Sequence, residues 1–444
     1  MDDQAAEGGY DVIVVGSGTG GATISRELAK QRKRVLLLER GGDEPLKETL
    51  VGTLAVARTF PVGPGLEGMA AATVGGSTSL YFAKCVFPTA ETFRKLGIDL
   101  SRELEGVRRE LPIATLPDEF LAPQAIRIRD SAQALGYGIR RNLLLVDQSK
   151  CPDGKYVYEA KWKARSYVRE AVEYGAQLTT KATARKILVE NGRAIGVEYE
   201  TREGLRRSKR HRVYGKKIVL AAGAQETPKF LIDVGIRNVG DHGFFCHPAF
   251  LVCGTAPGMQ GRDGFVAHLD LDCDLDFDPE GRITIGDATM CAEQFRLVML
   301  ANLKWRHLFA HATTLSMGVA LNDAMSGRLG ADGRYDKELG AAELAMLDRA
   351  EQVAVNVLKH AGAKNIFRTR LMGGIPGGVL RVGEHLDRTL QTKIRDLYVC
   401  DHSLIREASV TPTILLTCLG RYLARHLAES LDGVQHERSY SVAV

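Results

Sequence analysis

The stretch Tyr10 to Gly42, YDVIVVGSGTGGATISRELAKQRKRVLLLERGG, limits what this chain can fold into more than any other. Asp11 to Val15 is a short apolar, β-branched run, the pattern of a parallel strand buried on both faces. Gly16-Ser17-Gly18-Thr19-Gly20-Gly21 follows and fits GxGxxG. Ala22, Ile24, Leu28 and Ala29 then suit a helix packing back on that strand, and Val35 to Leu38 form a second apolar run ending in Glu39. Gly16 permits the tight turn, Gly18 lets the backbone approach a pyrophosphate, and Gly21 lets helix and strand pack closely. The anion rests on the helix N-terminus, where free N–H groups and the dipole favour it. Glu39, 23 residues after Gly16, is placed to accept hydrogen bonds from ribose hydroxyls. The unit predicts a dinucleotide site, and on these residues alone NAD fits as well as FAD.

The chain has 444 residues, enough for two domains and a large core. Apolar residues at 45% and charged residues at 25% are ordinary for a globular protein. A formal net charge of +5 is small for this length and gives no argument for nucleic acid as a partner. The eight cysteines are scattered, with no CxxC pair and no Cys/His metal spacing, so they read as reduced thiols and no metal is expected. No apolar run is long enough to span a bilayer, and the acidic, polar MDDQAAEGG start is no signal peptide. The expectation is a cytoplasmic enzyme.

Further along, glycines and prolines crowd Gly41 to Pro64 and predict a loop-rich excursion. Val74-Gly75-Gly76-Ser77-Thr78-Ser79-Leu80-Tyr81 suits close backbone approach to a phosphate or a flat ring. Helices are expected over Leu100 to Leu111, Gln124 to Leu135 and Ala160 to Tyr174. Ile187 to Glu200 reads as a hairpin turning at Asn191-Gly192. The basic run TREGLRRSKRHRVYGKK is expected to be a solvated turn between strands. Ile218 to Ala224 is another buried strand ending in small residues, followed by a helix with Thr227 as cap and Pro228 at its first position. Alternating runs at Phe265 to Leu271 and Arg282 to Thr289 indicate antiparallel strands of a second domain. Arg296 to Phe309, RLVMLANLKWRHLF, is apolar with aromatic anchors; it can line a substrate pocket, rest on a lipid surface or form a plain core helix. A long helix over Leu339 to His360, a short strand Asp396 to Cys400 and a closing helix Thr413 to Leu431 complete the chain.

This order of motifs resembles the glucose–methanol–choline (GMC) family of flavoenzymes. The matching pieces are GSGTGG with LLLERGG, VGGSTSLYF, CPDGKYVYEAK with the helix into GAQL, VLAAGAQETPKFLIDVGI, VGDHGFFCHP, and LYVCDHSL with TPTILLTCLGRYLARHL. The resemblance implies an α/β fold: a doubly wound, Rossmann-like FAD-binding domain of discontinuous sequence with a mixed antiparallel-sheet substrate domain. The domain expectation is residues 1–150 for the first part of the FAD domain, 151–239 for its continuation with the hairpin, 240–361 for the substrate domain and 362–444 for the return. The resemblance also implies FAD. Residue by residue it puts Gly16, Gly18 and Gly21, within the loop that includes Thr19 and Gly20, at the pyrophosphate and Glu39 at the adenosine ribose. Gly75, Gly76, Ser77 and Thr78 then line the flavin, Ala184 meets the adenine through its backbone, and Ala222 and Gly223 pack on the cofactor. Asp401 and His402 contact the diphosphate and ribityl region, and Thr411 to Thr413 lie near the isoalloxazine.

The catalytic centre departs from that pattern. The family's HPxGT-like motif is matched by Gly373 to Gly378, which puts Ile375 at the position of the catalytic His, and Thr411 stands where a second His or Asn is usual. Neither side chain is a base at neutral pH. The candidates for acid–base work are therefore Tyr81, His402, Arg406 and Glu407, while His247, in Cys246-His247-Pro248, matches a structural His of the family. The expected function is hydride transfer between a small organic substrate, an alcohol first, and the flavin, with the electron acceptor left open. Two other readings are flavin-dependent desaturation or reduction of a carbon–carbon bond, with Tyr81 as proton donor, and a catalytically silent flavin-binding subunit. Contact with a membrane surface is the lesser reading of the partners.

Overall fold

The computed structural model describes residues 2–3 and 9–433, apart from 45, 47, 204–206, 273–274, 375 and 408–410. The strands Tyr10–Val15 and Val35–Leu38 pair in parallel with Ile13 opposite Leu36 and Val14 opposite Leu37. Val12 to Val15 and all of Val35–Leu38 are buried, as expected of strands covered on both faces. Gln177–Thr179 adds to one side in parallel and Arg207–Leu220 to the other, with Val14 opposite Val219. Leu397–Val399 also runs parallel to Arg207–Leu220. The loops after all these parallel strands leave the same carboxyl edge, where α/β sheets bind ligands. The helix Thr19–Lys30 lies on this sheet, packed between Arg165–Glu173 and the closing helix Pro412–Leu431.

A second, six-stranded sheet is antiparallel, in the order Lys364–Arg368, Ala249–Thr255, Thr314–Leu321, Ile283–Asp287, Leu269–Asp272, Gly138–Arg141. The helix Ala341–His360 covers it, packing Leu347, Ala350, Ala354 and Val357 against Phe250, Val252, Leu315 and Val319. Pro123–Ala134 packs beside that helix, so residues 123–141 join this layer together with strands from 249–368. Every large side chain buried in these cores is worth about 1.5–3 kcal/mol.

Three expectations need correction. The excursion after Gly41 is not only loop: it holds the helix Leu50–Val56, capped by Thr49, and a hairpin of Ala57–Gly63 with Leu66–Ala71. Gly65, at φ +69°, turns that hairpin. The basic run is mostly strand rather than turn, because Arg210 and Arg212 of the strand Arg207–Leu220 pair with Glu200 and Glu198 of the neighbouring strand. The helix expected from Ala160 begins at Arg165, since Lys161 is drawn into a bridge with Val146. Elsewhere the hairpin turns at Asn191 (φ +47°) and Gly192 (φ +70°), as the Asn-Gly pair predicts.

Candidate functional site

The carboxyl edge gathers the glycine motif, the acid and the Gly75 loop through one hydroxyl. Ser17 Oγ donates to Glu39 Oε2 at 2.6 Å and accepts from Gly75 N at 3.1 Å. Ser17 N also donates to Glu39 Oε2 at 3.1 Å, and Gly41 N donates to Oε1 at 2.7 Å. Burial pushes the Glu39 carboxyl up against these hydrogen bonds, which favour its charged form. Backbone bonds from Glu39 N to Thr179 O and from Ala182 N to Glu39 O, both 2.9 Å, bring Ala184 and its β-bulge to the same corner.

The glycines sort into two kinds, and this tests whether the residues present fit FAD. A Cβ on Gly16 would stand 2.3 Å from Ala221 O, and one on Gly21 1.9 Å from Gly16 O. A Cβ on Gly20 would stand 2.1 Å from Cys400 O. The fold itself requires these three. Gly18 is different: its φ of −65° and ψ of −174° suit any residue, and a Cβ there would have nothing within 4 Å. Gly18 caps the helix Thr19–Lys30 and has no side chain to bond its first N–H groups. Gly223, just past the strand Arg207–Leu220, is likewise open in front. A glycine that the protein does not need, at a helix N-terminus beside an open space, fits the close approach of a pyrophosphate.

The Gly75 loop is built to present its backbone. Gly75 (φ +90°) and Gly76 (φ +57°) lead a 3-10 turn, Gly76–Ser79, and a Cβ on Gly76 would reach 3.0 Å from Gly18 Cα. Thr78 Oγ1 donates to Gly75 O at 2.6 Å and accepts from Ala164 N at 3.0 Å. Ser77 Oγ accepts from Ala71 N at 3.4 Å. On the far side, the Asp401 carboxylate is used up by protein donors: Ser403 N and Gly223 N at 3.0 Å, and the hydroxyls of Ser403 and Thr227. Asp401 thus ties the turn His402–Leu404 to the Gly223 loop. Thr227, expected as a cap, is the first residue of its helix Thr227–Asp233 and bonds Asp401 instead. Ala222, next to Gly223 in sequence, is half-buried.

The acid–base candidates separate clearly. His402 is buried, its Nδ1 lies 2.9 Å from Pro376 O, and its ring meets Phe245 edge-on at 5.5 Å. A carbonyl can only accept, so the Nδ1 carries the proton and Nε2 keeps its lone pair. Burial, with a smaller push from His247, depresses His402 to about 4 against the hydrogen bond to Pro376. Tyr81 donates its hydroxyl to Trp162 O, and burial raises its pKa well above the phenol range. Arg406 reaches Lys95 O at 3.1 Å and Glu407 stands 3.2 Å from Lys95 Nζ, so both face the helix Ala90–Leu96. Thr411 Oγ1 accepts from Val86 N at 2.7 Å, and Thr413 O accepts from Thr417 within the closing helix. Ile375 lies outside the described residues.

Two groups stand here that the motifs did not single out as chemistry. His247 holds φ +48°, its Nδ1 is buried without a hydrogen-bond partner among the described residues, and burial lowers its pKa. It is fixed by Asp323, which accepts from His247 N at 2.7 Å and forms a wholly buried ion pair with Lys337 at 2.5 Å. Lys337 Nζ also donates to Phe244 O and Ala324 O, and a buried pair satisfied in this way holds its surroundings in place. Gly374 N donates to Cys246 O at 2.5 Å, and a Cβ on Gly374 would stand 3.6 Å from His247 Cβ, so this glycine lies along the histidine. The second group is Glu48, which accepts from Tyr156 at 2.7 Å and Gln294 at 2.9 Å beside Lys161 at 3.4 Å. Burial pushes its neighbour Lys163 down to about 8, and Tyr158 links this cluster to Ser79 O at 2.8 Å. A buried left-handed His with an unpartnered nitrogen signals a site only once φ is known. The YVYEAKWK alternation is the sequence trace of the Glu48 cluster.

The GMC oxidoreductase profile matches residues 10–249, more than half of the chain. A long-chain-alcohol oxidase of Arabidopsis thaliana is 23% identical over 408 residues, covering 82% of this chain and 54% of the oxidase. An uncharacterized GMC-type oxidoreductase of Mycobacterium tuberculosis is 28% identical over 283 residues, covering 55% of this chain and 42% of that protein. The chain thus spans about half the length of these two relatives. The crystal structure of pyridoxine 4-oxidase from Mesorbium loti superposes with a TM-score of 0.70 at 15% identity, covering 96% of this chain and 100% of that one, a likeness of fold. Parallel sheet, glycine motif and profile agree, and the chain belongs to the GMC oxidoreductase family.

Proposed function

We propose that the protein oxidises a small organic alcohol, with hydride leaving the carbinol carbon for the flavin and the hydroxyl proton going to His402 Nε2. The C–H and O–H bonds break and a carbonyl forms; the two electrons would leave through bound FAD to a separate acceptor. The observation that carries this reading is the His402 tautomer: a neutral imidazole with its lone pair free, buried next to His247. His247 Nδ1 is a second buried acceptor, with no hydrogen-bond partner among the described residues. Bound FAD supplies the hydride acceptor. Gly18, in the loop that Gly16 and Gly21 pack tightly, would admit its pyrophosphate to the helix N-terminus, with Glu39 at its ribose and Ala184 at its adenine end. Gly75 to Thr78, Ala222, Gly223 and the Thr411–Thr413 turn surround the flavin, while Asp401 positions His402 and the Gly223 loop.

The alcohol reading is supported by the relative named as a long-chain-alcohol oxidase. The carbon–carbon alternative draws less support, because the Tyr81 proton it needs is committed to the Trp162 carbonyl. Anaerobic mixing of the FAD-loaded protein with alcohols, saturated ketones and enoyl compounds separates the two. Bleaching of the flavin by alcohols is expected. Bleaching by ketones or oxidation of prereduced flavin by enoyl compounds, with alcohols inert, would overturn the proposal.

A further inference from the structure

One surface joins the helix Leu50–Val56 to the end of the helix Ala292–Ala301 and the turns that follow it. Five large apolar side chains stand out there: Phe309 is 85% exposed, Val51 77%, Trp305 60%, Leu303 59% and Leu54 55%. The patch is continuous through its contacts. The Arg296 guanidinium lies 5.7 Å from the Phe309 ring, Arg296 pairs with Glu293, and Glu293 accepts from Leu50 N at 3.2 Å. Leu303 takes φ +57°, a conformation that is uncommon for a residue with a side chain, and gains no burial by it. An exposed apolar cluster of this kind marks an interaction surface.

The charges around it decide what it fits. Lys304, Arg306, Arg370 and Arg58 have no carboxylate partner among the described residues; Lys304 sits over the Phe367 ring at 4.8 Å, and Arg370 N is bonded to Asn302 at 2.6 Å. The nearby acid Glu293 is already paired. A two-fold dimer through this face would set the same cations against each other. Aromatic and aliphatic tips rimmed by unpaired cations match a bilayer interface carrying negative headgroups. We propose that Trp305 and Phe309, with Leu303, Val51 and Leu54, insert into the surface of an anionic membrane while Lys304, Arg306, Arg370 and Arg58 hold its headgroups. The proposal is independent of which substrate the enzyme takes.

The test is sedimentation of the FAD-loaded protein with phosphatidylcholine vesicles, with and without phosphatidylserine. Pelleting with the anionic vesicles alone is expected, falling as salt rises. W305S/F309S should weaken it by about tenfold or more, the value of one large apolar side chain taken out of lipid, and K304E/R306E should also weaken it. Bound-flavin absorbance in each variant reports an intact fold. No pelleting, equal pelleting with neutral vesicles, or binding unchanged in both variants would overturn the proposal. So would a dimer that W305S/F309S converts to monomer, which would assign the face to a second copy of the chain.

Discussion

Gly18→Val is expected to leave a folded protein that no longer holds FAD, whereas Gly21→Ala is expected to fail in folding itself. The two residues belong to one motif, but the structure gives them different duties. The added methyl at position 21 would lie 1.9 Å from Gly16 O, inside the closest packing of helix on strand. Neither backbone can retreat without unpairing the sheet, and the cost is about 3 kcal/mol or more. At position 18 the backbone is already in an ordinary extended conformation and the space in front is open. Valine there should change the stability of the apoprotein by only about 1 kcal/mol, the size of a cap effect. It would occupy the volume through which a pyrophosphate reaches the helix N-terminus, weakening FAD on the order of 100-fold. Urea unfolding of the apoproteins and FAD titration check the pair. Full FAD affinity in Gly18→Val would remove the pyrophosphate from this loop.

The second large effect concerns His402. His402→Gln keeps a hydrogen-bonding side chain of similar reach but removes the basic nitrogen. The rate of flavin reduction by an alcohol is expected to fall 10²- to 10⁴-fold, roughly what a positioned general base contributes, with FAD affinity little changed. The pH dependence follows from the depressed pKa of about 4. In the unfolded chain a histidine takes its proton near pH 6.5, whereas His402 in the fold does so only near 4. Between those values the unfolded state holds more protons. Stability from this group is therefore complete above about pH 6.5 and declines as pH falls towards 4, by roughly 3 kcal/mol in all. His402→Gln should flatten that part of the stability profile. Over the same window His402 remains neutral in the native protein, so its ability to accept a proton persists to about pH 5. A reduction rate unaffected by His402→Gln would leave the histidine as a packing residue.

How much of this was legible in the amino-acid order depends on the range over which each feature is decided. The strand, glycine motif, helix, strand and acid of residues 10–39 follow local rules, and the structure has each of them within a residue or two. The Asn191-Gly192 hairpin is local in the same way. The basic run is not, because what makes Arg207–Leu220 a strand is the row of carboxylates on the neighbouring strand. The excursion after Gly41 misleads for a related reason: its glycines and prolines serve a hairpin as readily as a loop. At the site, the motif names Glu39 and Gly18. Nothing in Cys246-His247-Pro248 shows that Asp323 will fix that histidine or that Gly374 will lie along it. The missing family base at Ile375 is visible in the sequence. The histidine pair that can stand in for it belongs to segments more than a hundred residues apart.

The most direct test of the central claim is anaerobic reduction of the bound flavin by an alcohol carrying deuterium on its carbinol carbon, in the wild type and in His402→Gln. The account predicts that deuterium slows reduction in both proteins and that the variant is slower with either isotope. Reduction at the same rate with either isotope in both proteins would contradict transfer of hydride from that carbon.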